Sequence, residues 1–312
     1  MLDVNHESLS IGFAPSNLSN YLNPGFELPA EFKKLSVLAA SNQMGFELEL
    51  EGDIDSIISL DFTKPAFLGV HQPIVEIDVV DNQRRAHSIE QIKRTMALAA
   101  IIKADYFTNH LQTVDHWDGI AARRSQIETS LDAFDKLWAH HSRSGYNFPM
   151  LIENLEYPKY PATINEIMEI VEYLHLKVPI PSGIVLDIGH LWRSRELIKL
   201  APEEQSTGDE SFTDYLEATL AAVGSNIKVF HITGCRDEHT HLMPEFDNAS
   251  VVFNTETQPE SDYDFRAIGS LIFRFAAEQS ESPYLVNEAF GYPYKEVIRI
   301  NHNINDTFRI HQ

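Results

Sequence analysis

Residues 183–190, GIVLDIGH, decide how this chain is read. Ile184, Val185 and Leu186 form an unbroken apolar run behind a glycine, the pattern of a strand buried on both faces rather than one that alternates between core and water. At its carboxyl end stand Asp187 and, three residues later, His190. Working outward, the arrangement recurs. FPMLIENLEY at 148–157 ends its apolar run on Glu153, IKVFHITG at 227–234 on His231, and YLVNEAF at 284–290 on Glu288. Carboxylates and imidazoles at the carboxyl ends of successive strands all point into one site, which is the pattern of a metalloenzyme.

Further out, four more strand-like segments precede these: SIGFAP near residue 10, GFELEL near 45, AFLGVHQP near 67 and DYFTNHLQ near 105. Helical stretches alternate with them, as a parallel sheet wrapped by helices requires. Their apolar stripes run through Ile89, Ile92, Met96 and Ala99, then Ile127, Leu131, Phe134 and Trp138, then Ile164, Ile167, Val171 and Leu174. Helix starts are expected at Ser88, at Pro161-Ala162-Thr163, and at Asp209 to Ser211 before FTDYLEATLAAVG, where Gly224 fits a stop. The second repeat, EGDIDSIISL, leaves room for a short helix only. Eight strand and helix pairs in 312 residues predict an α/β chain forming a single (β/α)8 barrel, with its reacting groups at the carboxyl ends of the strands. A doubly wound open sheet is the competing fold, but no glycine-rich phosphate turn follows the first strand. No linker stands out, so residues 1–312 are expected to form one domain. The polar, acidic stretch 236–262 is read as a loop over the site, and 201–211 as a solvated excursion.

Forty-six acidic residues against 24 basic ones give a formal charge of -22, which repels phosphate backbones and anionic lipid, so nucleic acid is disfavoured as a ligand. The lone cysteine, Cys235, excludes an internal disulfide and fits a reducing compartment. No basic start followed by an apolar stretch opens the sequence, and no run of about eighteen apolar residues occurs. A cytoplasmic protein with a small-molecule substrate and no membrane partner is expected. Oligomeric state has no signature here.

Glu153, Asp187, His231 and Glu288 match what a catalytic divalent cation needs, three or four nitrogen and oxygen donors with room left for water or substrate. The pieces IENLEY, VLDIGH, VFHITG and VNEAF resemble the xylose-isomerase-like TIM-barrel superfamily, which includes sugar isomerases, epimerases and the endonuclease IV type of nuclease. That resemblance implies these four residues as metal ligands, with Glu153 and Glu288 as opposed acid and base in an epimerase, and His190 as a substrate-binding, catalytic residue. It also implies additional ligands. His71 in GVHQP and His110 in TNHLQ look like the residues by which the nuclease branch holds extra zinc. His239 and His241 in DEHTHLMP stand where that branch has a D-x-H pair, so His239 departs from its pattern. With His190, these make nine candidates, which suit two or three ions of Mn, Co, Mg, Zn or Fe rather than one. His116, His140, His141 and His175 lie away from strand ends and are read as surface residues, and Cys235 as a small buried thiol.

The resemblance implies an isomerase or epimerase that moves a proton on a sugar or related polyhydroxy carbonyl compound through an enediolate. Arg193, Arg195 and Arg236 lie near strand ends, where they could receive an anionic substrate. The extra histidines suit a multinuclear alternative: a hydrolase of small phosphodiesters, or an iron-dependent oxidative enzyme that modifies peptides. Against the last, DIGH has histidine where that group often has asparagine. A barrel that binds metal or ligand without turnover is the non-enzymatic alternative.

Overall fold

The structure, a computed structural model, describes residues 9–14, 28–49, 62–74, 77–112, 120–200, 210–232, 234–237, 240–242, 263–288, 298–299 and 301–302. In chain order the strands are β1 (Ser10–Phe13), β2 (Gly45–Glu49), β3 (Leu68–His71), β4 (Tyr106–Asn109), β5 (Met150–Glu153), β6 (Ser182–Asp187), β7 (Ile227–Ile232), β8 (Gly234–Asp237), β9 (Thr240–Leu242) and β10 (Tyr284–Asn287). The helices are α1 (Leu28–Ser41), α2 (Arg85–Ile101), α3 (Ile120–Ser144), α4 (Ile164–Lys177), α5 (Ile188–Leu200), α6 (Phe212–Val223) and α7 (Phe265–Glu278). Eight strands close into a parallel barrel in the order β1-β10-β7-β6-β5-β4-β3-β2, while β8 and β9 form a separate antiparallel hairpin. This is the expected (β/α)8 barrel, and its eight strands are the eight read from sequence.

Local side-chain chemistry accounts for the starts of α4 and α6. Thr163 caps α4 in a reciprocal box: its hydroxyl accepts from the Glu166 amide at 3.2 Å, and the Glu166 carboxylate accepts from the amide of Thr163 at 3.3 Å. Ser211 caps α6 with its hydroxyl, which accepts from the Asp214 amide at 3.2 Å, and Gly224, at φ 57°, ends the helix with a backbone that glycine adopts without strain. Ser88 does not begin a helix. Helix α2 starts three residues earlier, where the Arg85 amide donates to the Asp81 carbonyl, and the Ser88 side chain instead bridges the amide and carbonyl of Asp78. The segment EGDIDSIISL and most of the 201–211 excursion lie outside the described residues. Part of the expected 236–262 loop is ordered as the end of β8 and all of β9.

Two apolar layers hold the barrel. Outside it, residues such as Phe46, Val70, Phe107, Ile152, Leu186 and Phe230 pack against the helices. Inside, Phe67, Tyr106 and Tyr284 stack at the amino-terminal end, with ring centroids 4.4 Å apart for Phe67–Tyr284 and 5.6 Å for Tyr106–Tyr284. Glycines make room for them: a Cβ at Gly45 would fall 2.2 Å from the Phe67 ring, and one at Gly69 2.3 Å from that of Tyr106. Leu151, Val185, Val229 and Val286 belong to the same interior cluster. With the lower half of the barrel filled by apolar side chains, the polar residues gather at the carboxyl ends of the strands.

Candidate metal centre

Glu153 lies at the end of β5, about 1% exposed, and its two carboxylate oxygens face different sets of nitrogens. Oε2 is 3.2 Å from His71 Nε2 at the end of β3 and 3.1 Å from His110 Nε2 just beyond β4, and those two nitrogens are 3.1 Å apart. Oε1 is 3.4 Å from His231 Nδ1 on β7, which is also 3.2 Å from Glu288 Oε1, just past β10. Asp187, ending β6, completes this second group. One donor atom from each of Glu153, Asp187, His231 and Glu288 lies within 4.8 Å of the others. Side chains spread over more than two hundred residues of sequence thus meet at one end of the barrel, because parallel strands all deliver their last residues to the same rim.

The donor set fits divalent cations. A tetrahedral zinc with bonds of ~2.0–2.1 Å separates its ligands by about 3.3 Å, close to the 3.1–3.2 Å edges of the His71–His110–Glu153 triangle. In the second group, Asp187 Oδ2 and His231 Nδ1 are buried yet make no hydrogen bond. His231 Nδ1 approaches two carboxylates without the alignment of a hydrogen bond to either. Buried polar atoms left unpartnered and converging on one point are costly unless a ligand satisfies them.

Surrounding hydrogen bonds set the tautomers. A carbonyl only accepts, so His71 Nδ1 donates to the Gln72 carbonyl at 2.6 Å, which in the neutral ring leaves Nε2 as the lone-pair atom facing Glu153. His231 Nε2 donates to Glu47 Oε2 at 3.2 Å, leaving Nδ1 for the cluster. Asn154 joins the ends of β5 and β6: its side chain accepts from the Asp187 amide at 2.7 Å and donates to the Asp187 carbonyl at 3.0 Å. His190, opening α5, donates from Nδ1 to the Asn154 carbonyl at 2.9 Å, and its Nε2 is 2.9 Å from Glu156 Oε2. It therefore faces Glu156 as well as the cluster, with Nδ1 3.4 Å from Glu153 Oε1 and 3.6 Å from Asp187 Oδ2.

In the cation-free protein the buried groups share protons unevenly. Burial alone disfavours the charged form of His71, but its hydrogen bond to Glu153 and the nearby Glu47 and Glu49 charges outweigh it and push the pKa up to about 9. His190 and His231 are likewise raised well above the ordinary imidazole value by surrounding carboxylates against the effect of burial, whereas burial keeps His110 low. Asp187 is pushed up to about 8 by burial and, in addition, by the Glu288 and Glu153 charges. Glu153, despite burial, is held well below the usual carboxylate range by His231 and His110.

The remaining sequence candidates fall elsewhere. His239 and His116 lie outside the described residues; His241 sits on β9 opposite Cys235 on β8, with its side chain undescribed. His175 is exposed, but His141 is not a surface residue: it is fully buried on α3, on the same stripe as Phe134, Leu137 and Trp138, and its Nε2 donates to the Phe148 carbonyl at 2.9 Å. Arg193 and Arg195 are buried, Arg193 3.8 Å from Glu156 and Arg195 on Glu196 and the Glu210 carbonyl. Glu47 and Glu156 were missed by sequence reasoning. Their signal was present: GFELEL sets Glu47 and Glu49 on one face of a strand whose other residues are apolar, and IENLEY repeats glutamate at a spacing of three.

Residues 61–261 match the family described as the xylose isomerase-like TIM barrel. No curated protein matches the chain. Among solved structures, D-psicose 3-epimerase with D-tagatose from Clostridium cellulolyticum H10 superimposes with a TM-score of 0.59 at 12% identity, covering 97% of this chain and 99% of its own. The 3-keto-D-glucoside 4-epimerase from E. coli gives 0.56 at 14% identity, over 96% and 100% of the two chains. Endonuclease IV from Thermus thermophilus gives 0.56 at 12% identity, over 97% and 100%. At such identities the likeness is one of fold.

Proposed function

The chain belongs to the xylose isomerase-like TIM barrel family, and from that premise we propose that it is a metal-dependent enzyme whose centre holds two cations sharing Glu153. The observation that carries this is the orientation of one side chain: Glu153 turns Oε2 to His71 and His110, and Oε1 to His231. Ligands for one ion are then His71, His110 and Glu153, and for the other Glu153, Asp187, His231 and Glu288. Ions bound there would supply Lewis-acid stabilisation of charge developing on substrate oxygens.

The residues divide the remaining work. Asn154 fixes the relative height of Glu153 and Asp187 by tying the ends of β5 and β6. His190 holds a proton at Nε2 against Glu156, placed to deliver it to a leaving oxygen, with Nδ1 anchored on the Asn154 carbonyl. A carboxylate shared by adjacent cations suits hydrolysis of a small phosphodiester, in which attacking and departing oxygens are stabilised together. The strong negative charge of the chain restricts that substrate to a small one.

A second reading, isomerisation or epimerisation of a polyhydroxy carbonyl compound through an enediolate, is favoured by Glu288. Its side chain is about 10% exposed where Glu153 and Asp187 are sealed, so it is the carboxylate of the second group open to a substrate carbon. Glu153, with both oxygens facing nitrogens, is poorly placed to be its opposed partner.

Metal content and turnover test both. Elemental analysis of protein purified without added metal is expected to give two ions per chain, and incubation with small phosphodiesters to release the alcohol. One ion per chain, together with solvent deuterium wash-in to a ketose, would replace the first reading with the second.

A further inference from the structure

We propose that Glu47 is a positioning residue for the second cation site, holding His231 in the tautomer that presents Nδ1 to Glu153, Asp187 and Glu288. The inference rests on reading that group as a cation site. Glu47 lies in the middle of β2, about 1% exposed, and was reached by neither the strand-end pattern nor the donor clusters. Its Oε2 is 3.2 Å from His231 Nε2, and a carboxylate can only accept, so in the neutral, metal-binding ring the proton sits on Nε2. On the other edge of the same ring, Nδ1 makes no hydrogen bond.

The competition explains why such a residue is needed. Nδ1 has two carboxylates within 3.4 Å, an attractive home for the single proton of a neutral imidazole. A proton there would block the ring as a donor. Glu47 supplies the counter-attraction at Nε2, and Thr108 secures it: its hydroxyl donates to the same Oε2 at 3.1 Å. Three strands thereby set one nitrogen, with β4 holding β2, β2 holding β7, and β7 facing the centre. Such carboxylate–histidine pairs behind a metal ligand typically change affinity by roughly 10- to 100-fold when broken.

The experiment is zinc titration of the metal-free protein and of Glu47→Gln and Thr108→Val, by competition with a chromophoric chelator, alongside spectra of the histidine ring nitrogens in 15N-labelled protein. Glu47→Gln is expected to weaken one of the two zinc ions by roughly 10- to 100-fold. In spectra recorded above the raised His231 pKa, where the ring is neutral, it is also expected to move the remaining proton partly to Nδ1, and Glu47→Asp to restore part of the affinity. Thr108→Val, which keeps the carboxylate, should weaken the same ion by a smaller factor. Unchanged affinity and an unchanged His231 tautomer in Glu47→Gln would overturn the proposal while leaving the cation site standing. If the parent protein takes up no zinc, the site itself falls and Glu47's role with it. Should Glu47→Gln fail to fold, Thr108→Val decides: weakened zinc supports the proposal, and parental affinity with the parental tautomer overturns it.

Discussion

Glu153 is the residue on which the centre turns, because it belongs to both donor groups. Glu153→Gln is expected to empty both cation positions, whereas His71→Ala or His110→Ala should lose one ion and keep the other; metal stoichiometry by mass spectrometry distinguishes the two. The proton distribution gives a second outcome. His71, raised to about 9, and Asp187, raised to about 8, keep protons in the folded cation-free protein that the unfolded chain has released. Their contribution to stability is present at lower pH and lost as pH rises towards 9. His110 has the opposite sign, but its change is complete below that window. Thermal unfolding of the metal-free protein should therefore show a midpoint that falls from pH 7 to pH 9, while the increment gained on adding zinc grows over the same range, since binding must displace those protons. The strand-end residues could be picked out from sequence because ligand type and strand end are both local properties. Glu47 carries only the weaker signal of GFELEL, since its partner is 184 residues away and a glutamate inside a strand reads equally well as the solvent side of a sheet. His141, expected at the surface because it lies away from the strand ends, is buried because it continues the apolar stripe of Phe134 and Trp138.

At the scale of elements, rim and floor of the barrel are built differently. Along the rim, helix α4 depends on Thr163 and Glu166, and Glu166 is also held by Arg123 at 2.5 Å. Removing the cap by Thr163→Ala is expected to cost about 1 kcal/mol in urea unfolding. On the floor, the Tyr106 ring occupies the space a side chain at Gly69 would need. Gly69→Ala should destabilise by about 1–3 kcal/mol through overpacking. Combined with Tyr106→Leu, it should cost less than the sum of the two separate changes, a coupling that a double-mutant cycle measures. The strands were legible because fully buried strands carry continuous apolar runs. Helix α2 was legible in its stripe but not in its start, since Ser88 spends its hydroxyl on the Asp78 turn rather than on a helix end.

For the whole molecule, the charge of -22 sets what can approach. Duplex DNA carrying an abasic site is expected to run unshifted with the protein at low salt, where electrostatic attraction would be strongest; a shift abolished by salt would contradict this. No helix among the described residues is long and apolar enough to cross a membrane. The stacked rings of Phe67, Tyr106 and Tyr284 have one more effect. Among the described residues they close the amino-terminal end of the barrel, so a molecule reaching the proposed cation centre would enter and leave over the opposite rim, and one lingering there would keep the next one waiting.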